Sequence, residues 1–204
     1  MATKDRILLE ALRLFSQRGY DAVSVEQIAG AVGIKAPSLY KHYRGKQDIF
    51  EAIFEETARR YESFTDSISV HVNESEEVVT VSENITADYL VEKVKSLIDY
   101  SLNDEYVSMF RRMMTIEQFR SRELSELYSE RYVRQMLAFH TGLFTKMIAA
   151  GVLTDENPEA LAIMYDAPIM VMLGECDRHP EKKEEYMRVL EEHVRLFHKT
   201  FTRK

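Results

Sequence analysis

Hydroxyl, aromatic and basic side chains are concentrated in one short stretch near the N-terminus, between Lys35 and Lys46. With almost no acid there, the stretch offers hydrogen-bond donors and positive charge together. Hydroxyls and lysines suit phosphate oxygens, and donors on a short helix suit the base edges of a DNA groove. The composition therefore predicts a nucleic-acid interface. Its candidate contacts are Lys35, Ser38, Tyr40, Lys41, His42, Tyr43, Arg44 and Lys46.

Two short helices joined by a tight turn are expected to position these side chains. The first helix is predicted over residues 25–32, because Ser24 can accept a free backbone N–H as its N-cap. Gly33 supplies the turn, since a residue without Cβ readily adopts the positive φ that ends a helix. The second helix begins near Pro37, whose missing N–H has no partner in a first turn. The two helices pack through apolar side chains at Ile28, Ala29, Val32, Ile34 and Leu39.

Longer helices are predicted on both sides of this helix-turn-helix. Apolar residues at helical spacing predict a helix over residues 3–18, ended by Gly19, so that residues 1–46 form a three-helix headpiece. A helix from residue 46 or 47 to residue 64 follows, and its continuity makes it the expected lever between the headpiece and the rest. Residues 65–85 alternate apolar and polar side chains around a polar turn, and a β-hairpin and a solvated loop both stay open there.

From residue 86 onward the apolar pattern is helical to the end of the chain. Pro168 should kink the fourth of these helices, because it removes a backbone hydrogen bond. The fold class is therefore all-α, with the headpiece joined to a larger helical domain over residues 47–204. The predicted helices of that domain beyond the lever span residues 87–102, 105–119, 122–150, 157–175 and 180–202.

Charge is distributed unevenly between the two parts. The first 50 residues hold eight lysines and arginines against five acids, whereas the whole chain holds 27 against 34 and carries a net charge of −7. A basic headpiece on an acidic body is typical of a protein that touches phosphates at one end only. Cys176 is the single cysteine, so no internal disulfide can form. Without a long apolar run or a signal pattern, we expect a soluble cytoplasmic protein.

Methionine and aromatic residues are abundant in the helices after residue 105. Methionine is flexible and polarisable, so the set suits a cavity that adapts to apolar guests, although any single member is more often ordinary core. Asp166, in the most apolar helix, needs a partner. An arginine or tyrosine of the same domain is favoured over a cationic or hydroxylated ligand. His140 is likewise assigned to the core first. The candidate pocket residues are Phe110, Met113, Met114, Tyr128, Tyr132, Met136, Phe139, His140, Tyr165, Asp166 and Met170.

Catalytic and metal-binding patterns are not found in the sequence. There is no G-x-S-x-G, no H-E-x-x-H and no glycine-rich phosphate loop. Cys176 and His179 form half of a metal site with no second half at a suitable spacing. We therefore expect no enzyme activity, no cofactor and no metal.

Residues 5–55 resemble the DNA-binding headpiece of the TetR/AcrR family of transcriptional regulators. The resemblance rests on Phe15, Gly19-Tyr20, the I-A-x-x-V-G-I turn, the S-L-Y-x-H-Y block, Lys46 and Ile49-Phe50. It implies that Lys35, Ala36, Ser38, Lys41 and His42 lie in or beside the major groove, and that Ser24, Tyr40, Tyr43 and Lys46 meet phosphates. It also implies a ligand cavity in the body and a homodimer formed by residues 157–175 and 180–202.

These observations predict a ligand-responsive transcriptional regulator. One recognition helix reads only a few base pairs, so a two-fold dimer on a pseudo-palindromic operator is expected. Most relatives repress, which predicts a repressor that a small, mostly apolar effector releases from double-stranded operator DNA. The alternative is a helical ligand-binding or scaffolding dimer without specific DNA binding. An enzyme built in the helical cavity is the least favoured hypothesis.

Overall fold

Helices form almost all the regular structure in the computed structural model, which describes residues 2–67, 86–120 and 122–203. Within these ranges the only β-structure is an isolated antiparallel bridge between Leu153 and Thr202. The predicted all-α fold class is thus confirmed. In chain order the helices are α1 (Thr3–Arg18), α2 (Val25–Val32), α3 (Ala36–Leu39), α4 (Lys46–Ser67), α5 (Ala87–Asn103), α6 (Glu105–Glu117), α7 (Arg122–Ser129), α8 (Gln135–Ala149), α9 (Pro158–Arg178) and α10 (Lys183–Phe201).

The chain packs as two units. The first unit comprises residues 1–69 and 103–128, and the second unit comprises residues 70–102 and 129–204. The first unit therefore contains the headpiece, α4, α6 and nearly all of α7. The second unit contains nearly all of α5 and all of α8, α9 and α10.

The helix-turn-helix forms as its caps dictate. Ser24 accepts the backbone N–H of Gln27, and the Gln27 side chain accepts the Ser24 N–H in return, which completes a capping box. Gly33 ends α2 in the left-handed region at φ 78°. Beyond Leu39, the backbone N–H groups of Lys41 and His42 donate to the carbonyls three residues back in the chain. Helix α3 therefore ends early and continues as a hydrogen-bonded turn.

A continuous apolar core fills the first unit. Apolar side chains of α1, α2, α3 and α4 are buried together, as the helical spacing predicts. Helix α6 packs on α1 and α4, and the Phe110 ring meets Phe54 edge-on at 5.7 Å. A headpiece of about 50 residues is marginal alone, so α6 adds apolar area that the headpiece needs. The fully buried members of this core include Ile7, Leu12, Phe15, Ile28, Leu39, Ile49, Ile53, Phe110, Met113 and Met114.

The second unit is built around α9. Its start is capped by Asn157, whose side chain accepts the N–H groups of Glu159 and Ala160. Pro168 lies inside this helix, which extends to Arg178 rather than stopping near residue 175. The unit's core consists of Val91, Val94, Ile98, Phe144, Met147, Leu153, Leu161, Ala162, Tyr165, Leu190, Val194 and Phe197.

Three sequence predictions need correction or stay open. The single helix expected over residues 122–150 is interrupted by a π-helical segment at Glu130–Arg134, where the wider i→i+5 bonding separates α7 from α8. The lever helix α4 continues to Ser67, three residues beyond the predicted end. The rest of the segment predicted as a hairpin or a loop, residues 68–85, lies outside the described residues.

Candidate nucleic-acid interface

Helix α3 presents polar side chains outward and one apolar anchor inward. Leu39 is 0% exposed, as the sequence predicts, and it fixes the helix on the core of the first unit. Lys35, Lys41 and His42 are exposed, and Tyr40 is 51% exposed. Ala36 and Ser38 are half-buried at the helix start, and Ser24 is exposed at the start of α2. The geometry leaves these side chains free to meet a nucleic acid without unpacking the core.

Tyr43 and Lys46 differ from the other candidate contacts because the fold already uses them. Tyr43 is 3% exposed, its hydroxyl is buried without a hydrogen-bond partner, and Lys4 lies 5.4 Å from its ring centre. Burial raises the pKa of Tyr43 to about 12. The Lys46 ammonium donates to the Tyr20 backbone carbonyl at 2.8 Å, and it lies 4.2 Å from the centre of the Tyr20 ring.

Tyr20 is the residue that holds these pieces together, and the sequence reasoning did not assign it that role. Its ring packs against Phe15 and Phe50, with centroids 5.2 Å away in each case. Its hydroxyl and the Gln47 side chain lie 3.1 Å apart in a hydrogen bond, so α4 starts against it. We name Tyr20, Lys46, Gln47, Phe50 and Glu117 the Tyr20 cluster.

Glu117 completes the Tyr20 cluster from the last residue of α6. Its side chain is 1% exposed and accepts the Tyr20 backbone N–H at 2.8 Å. Arg120 lies 3.5 Å from the same carboxylate and 3.6 Å from Asp21. Gly19 leaves room for the Glu117 carboxylate, because a Cβ at residue 19 would lie 2.7 Å from its Oε1. The cluster thus ties the start of α4 and the end of α1 to α6.

The predicted pocket residues fall into both units. Phe110, Met113 and Met114 are buried in the core of the first unit, where Tyr128 is half-buried. The other seven belong to the second unit. The structure brings four of those seven into one aromatic group: His140 lies 4.9 Å from the Phe139 ring, 5.0 Å from the Tyr165 ring and close to Asp166. The remaining members are half-buried in the second unit, namely Tyr132, Met136 and Met170.

Asp166 and His140 form the closest charged contact in this group. The His140 Nδ1 lies 2.8 Å from one oxygen of Asp166, which is 1% exposed. Neither that nitrogen nor either carboxylate oxygen has a hydrogen bond of acceptable geometry. The expected internal partner exists, but it is a histidine rather than an arginine or tyrosine. Burial, with the carboxylate nearby, raises the pKa of Tyr165 above its ordinary range.

The headpiece matches a known family model. The model described as "Bacterial regulatory proteins, tetR family" matches residues 7–53, which contain α1, α2, α3 and the start of α4. Residues 7–53 thus match the DNA-binding headpiece of the tetR family of bacterial regulatory proteins.

Curated TetR relatives are similar to the chain over part of their length. The probable regulator YttP of Bacillus subtilis is 25% identical over 140 residues, which are 67% of this chain and 63% of that protein. IcaR of Staphylococcus aureus, a negative regulator of the biofilm operon icaADBC, is 46% identical over 48 residues, which are 24% of this chain and 26% of that protein. The chain thus spans less than two thirds of the length of these relatives. Both relatives are named as transcriptional regulators, not enzymes.

A solved repressor structure has a similar fold. SmeT, the repressor of a multidrug efflux pump of Stenotrophomonas maltophilia, has been solved in complex with triclosan. That complex superposes with a TM-score of 0.72 at 20% identity, covering 100% of this chain and 93% of SmeT. At this identity the likeness shows the fold alone.

Two further properties were tested on the described residues. None of their helices is both long and apolar enough to cross a membrane. Nor do three or more His, Cys, Asp or Glu side chains come together there as a metal ion would require. Cys176 is buried and forms no disulfide.

The side chains that the sequence reasoning missed had signals of different strength. Gln27 stands three residues after Ser24, which is the spacing of a capping box. Glu117 continues the buried stripe of Phe110, Met113 and Met114 at helical spacing, so its burial was readable. The contact of Glu117 with Tyr20, 97 residues away in the chain, was not readable from the sequence.

Proposed function

We propose that this chain is a TetR-family transcriptional repressor that binds operator DNA and is released by a small, mostly apolar effector. The observation that carries this proposal is the face of α3: exposed basic and polar side chains on a helix that a buried Leu39 anchors. Nothing in the core depends on those outward side chains. A face of this kind is available for a groove, and its charge is opposite to that of the phosphates.

The contacts divide into two roles under this proposal. Side chains at the start and on the outer face of α3 read base edges, while those at the flanks meet phosphates and fix the register. Lys46 and Tyr43 act mainly by holding the start of α4 and the end of α3 in place, because both are engaged by the first unit. The base-reading set is Lys35, Ala36, Ser38, Lys41 and His42, and the phosphate set is Ser24 and Tyr40, supported by Tyr43 and Lys46.

A homodimer is the form in which we propose that the chain acts. Large apolar side chains are exposed on both α9 and α10, which agrees with the predicted dimer helices. A surface of this kind on two adjacent helices is typical of an interface. Two α3 helices related by a two-fold axis then match a pseudo-palindromic operator. The exposed apolar side chains are Ile163, Met164 and Val171 on α9 and Val189 and Leu196 on α10.

We assign effector binding to the larger helical part, residues 47–204, and DNA binding to residues 1–46. The triclosan complex of SmeT supports a mostly apolar effector, and the negative regulator IcaR supports repression. Effector binding would favour the dimers whose headpieces do not match the half-site spacing. Because the target is chromosomal DNA, we propose a cytoplasmic location.

The test is a fluorescence-anisotropy titration of the full chain against the DNA upstream of its own gene. Lys41→Ala should change the preference among operator variants, because it removes a groove contact. Lys46→Met should weaken binding to all sequences to the same extent, because it loosens the start of α4 without removing a groove contact. Lys199→Ala, which removes an exposed lysine of α10, is the charge-matched control and should change neither quantity.

Binding to the upstream region should exceed binding to a shuffled sequence and fall steeply with salt. If the wild-type chain showed no salt-sensitive, sequence-selective binding, the repressor proposal would fail. The remaining hypothesis would then be a helical ligand-binding or scaffolding dimer.

A further inference from the structure

Asp166 is a buried acid whose oxygens receive no well-aligned hydrogen bond within the second unit. It lies in α9 beside His140, whose ring packs against those of Phe139, Phe144 and Tyr165. An ionised carboxylate can only accept hydrogen bonds, and neither oxygen of Asp166 receives one. A buried acceptor without a donor is costly and is retained where something else supplies the donor.

Three basic side chains of α9 and α10 are paired elsewhere. Arg178 pairs with Glu175, Lys183 with Asp99, and Arg195 with Asp88 and Glu191. In the part of the chain that the structure describes, His140 is the one basic side chain within ion-pair distance of Asp166. Its Nδ1 is close enough but poorly aligned, and its side chain remains 19% exposed. His140 is therefore a partly exposed side chain in direct contact with this buried carboxylate.

We propose that Asp166 is the recognition residue for a lipophilic organic cation, a molecule with an aromatic or alkyl body and one protonated nitrogen. This inference rests on the proposed function and specifies the charge of its effector. The nitrogen approaches the carboxylate oxygen that has no close contact with His140, and donates to it. The faces of Phe139 and Tyr165 stabilise the same positive charge and accommodate the apolar body.

Charge rather than hydrogen bonding alone selects the ligand at such a site. A neutral alcohol can donate one hydrogen bond but leaves the buried negative charge uncompensated. A protonated amine supplies both the donor and the opposite charge, in surroundings where water screens little. The site should therefore distinguish an amine from an alcohol with the same carbon skeleton.

The experiment compares 4-phenylbutylamine with 4-phenylbutan-1-ol by isothermal titration calorimetry on the full chain at neutral pH, without DNA. The wild type should bind the amine at least tenfold more tightly than the alcohol. Asp166→Asn should reduce that ratio to about twofold or less. Glu192→Gln, which removes an exposed acid of α10, is the matched control and should keep the full ratio.

Equal affinity of the wild type for the two compounds would overturn the proposal, as would the absence of saturable amine binding. Survival of the preference in folded Asp166→Asn would also overturn it. The wild-type comparison alone decides the matter if that variant does not fold. An anisotropy titration with upstream DNA on the same samples separates this inference from the proposed function. If DNA binding is sequence-selective but the amine is not preferred, only the proposed effector class is wrong. If the amine is preferred but DNA binding is not sequence-selective, only the proposed regulator function is wrong.

Discussion

Two buried acids, Glu117 in the first unit and Asp166 in the second, have the same exposure and opposite surroundings. Each side chain is 1% exposed. Glu117 accepts the Tyr20 N–H at 2.8 Å and lies near Arg120, whereas Asp166 has only a poorly aligned histidine. The difference teaches that burial of an acid does not by itself indicate its role. An acid with its donors supplied fixes structure, and an acid without them is available to bind.

Glu117, whose carboxylate is hydrogen-bonded, is connected to the headpiece that carries the proposed DNA interface. Glu117 holds Tyr20, Tyr20 holds Lys46 and Gln47, and those two residues begin α4. Helix α6 thus contacts the headpiece through this hydrogen bond and the Arg13–Glu105 ion pair as well as through apolar packing. Both α4 and α6 are therefore joined to the headpiece.

The largest effect is expected at Gly19, which the buried Glu117 crowds. Gly19 has φ 79° and ψ 160°, a region that is essentially confined to glycine, and a Cβ would lie 2.7 Å from the Glu117 oxygen. Gly19→Ala should lower the free energy of unfolding by about 3 kcal/mol, from strain and from displacement of the carboxylate. Urea denaturation followed by circular dichroism measures it.

Gly33→Ala is the matched control for that strain. Gly33 has almost the same φ, 78°, but lies in the ordinary left-handed region with no atom within 4 Å of a Cβ. Gly33→Ala should lower the free energy of unfolding by only about 1 kcal/mol. Equal costs at the two glycines would show that contact with Glu117 is not what makes Gly19 necessary.

A smaller loss is expected for Glu117→Ala. The substitution leaves the Tyr20 N–H without its charged acceptor, which should cost about 2 kcal/mol. Because the clash at Gly19 disappears with the carboxylate, the double variant with Gly19→Ala should be more stable than the sum of the two losses implies. Strict additivity in the double-mutant cycle would argue against the contact.

The smallest effect concerns Tyr43 at alkaline pH. Its pKa rises from 10.0 to about 12 on folding, so between those values the unfolded state has released a proton that the folded state keeps. Stability should therefore fall as pH rises through that window, by about 1–2 kcal/mol from this group. Tyr43→Phe should flatten the fall in denaturation midpoints between pH 10 and pH 12. Tyr40→Phe, at an exposed ring, should leave it unchanged.

Local features of the fold were readable from the sequence. The bounds of α2, its Ser24 cap, the Gly33 turn and the buried Leu39 each depend on a few neighbouring residues, and each was predicted. The all-α class followed from apolar spacing over long stretches. The π-helical segment at Glu130–Arg134 was not predicted, because one extra residue per turn changes the spacing very little.

Features that depend on distant partners were not readable. Tyr20 and Glu117 meet across 97 residues, and His140 meets Asp166 from another helix. The sequence indicated that Asp166 needs a partner but could not identify it. The same limit applies to Lys46, which the family resemblance assigns to phosphate and which the fold also engages with Tyr20.

The comparison of the two acids is tested most directly by neutralising each with its amide, as Glu117→Gln and Asp166→Asn, and measuring unfolding in urea at neutral pH without ligand. Glu117→Gln should lose about 1 kcal/mol, because a charged acceptor becomes a neutral one. Asp166→Asn should be unchanged or gain about 1 kcal/mol, because it removes a buried charge without an aligned donor. A loss of about 3 kcal/mol or more for Asp166→Asn would instead show an ordinary buried ion pair with His140 and contradict the account.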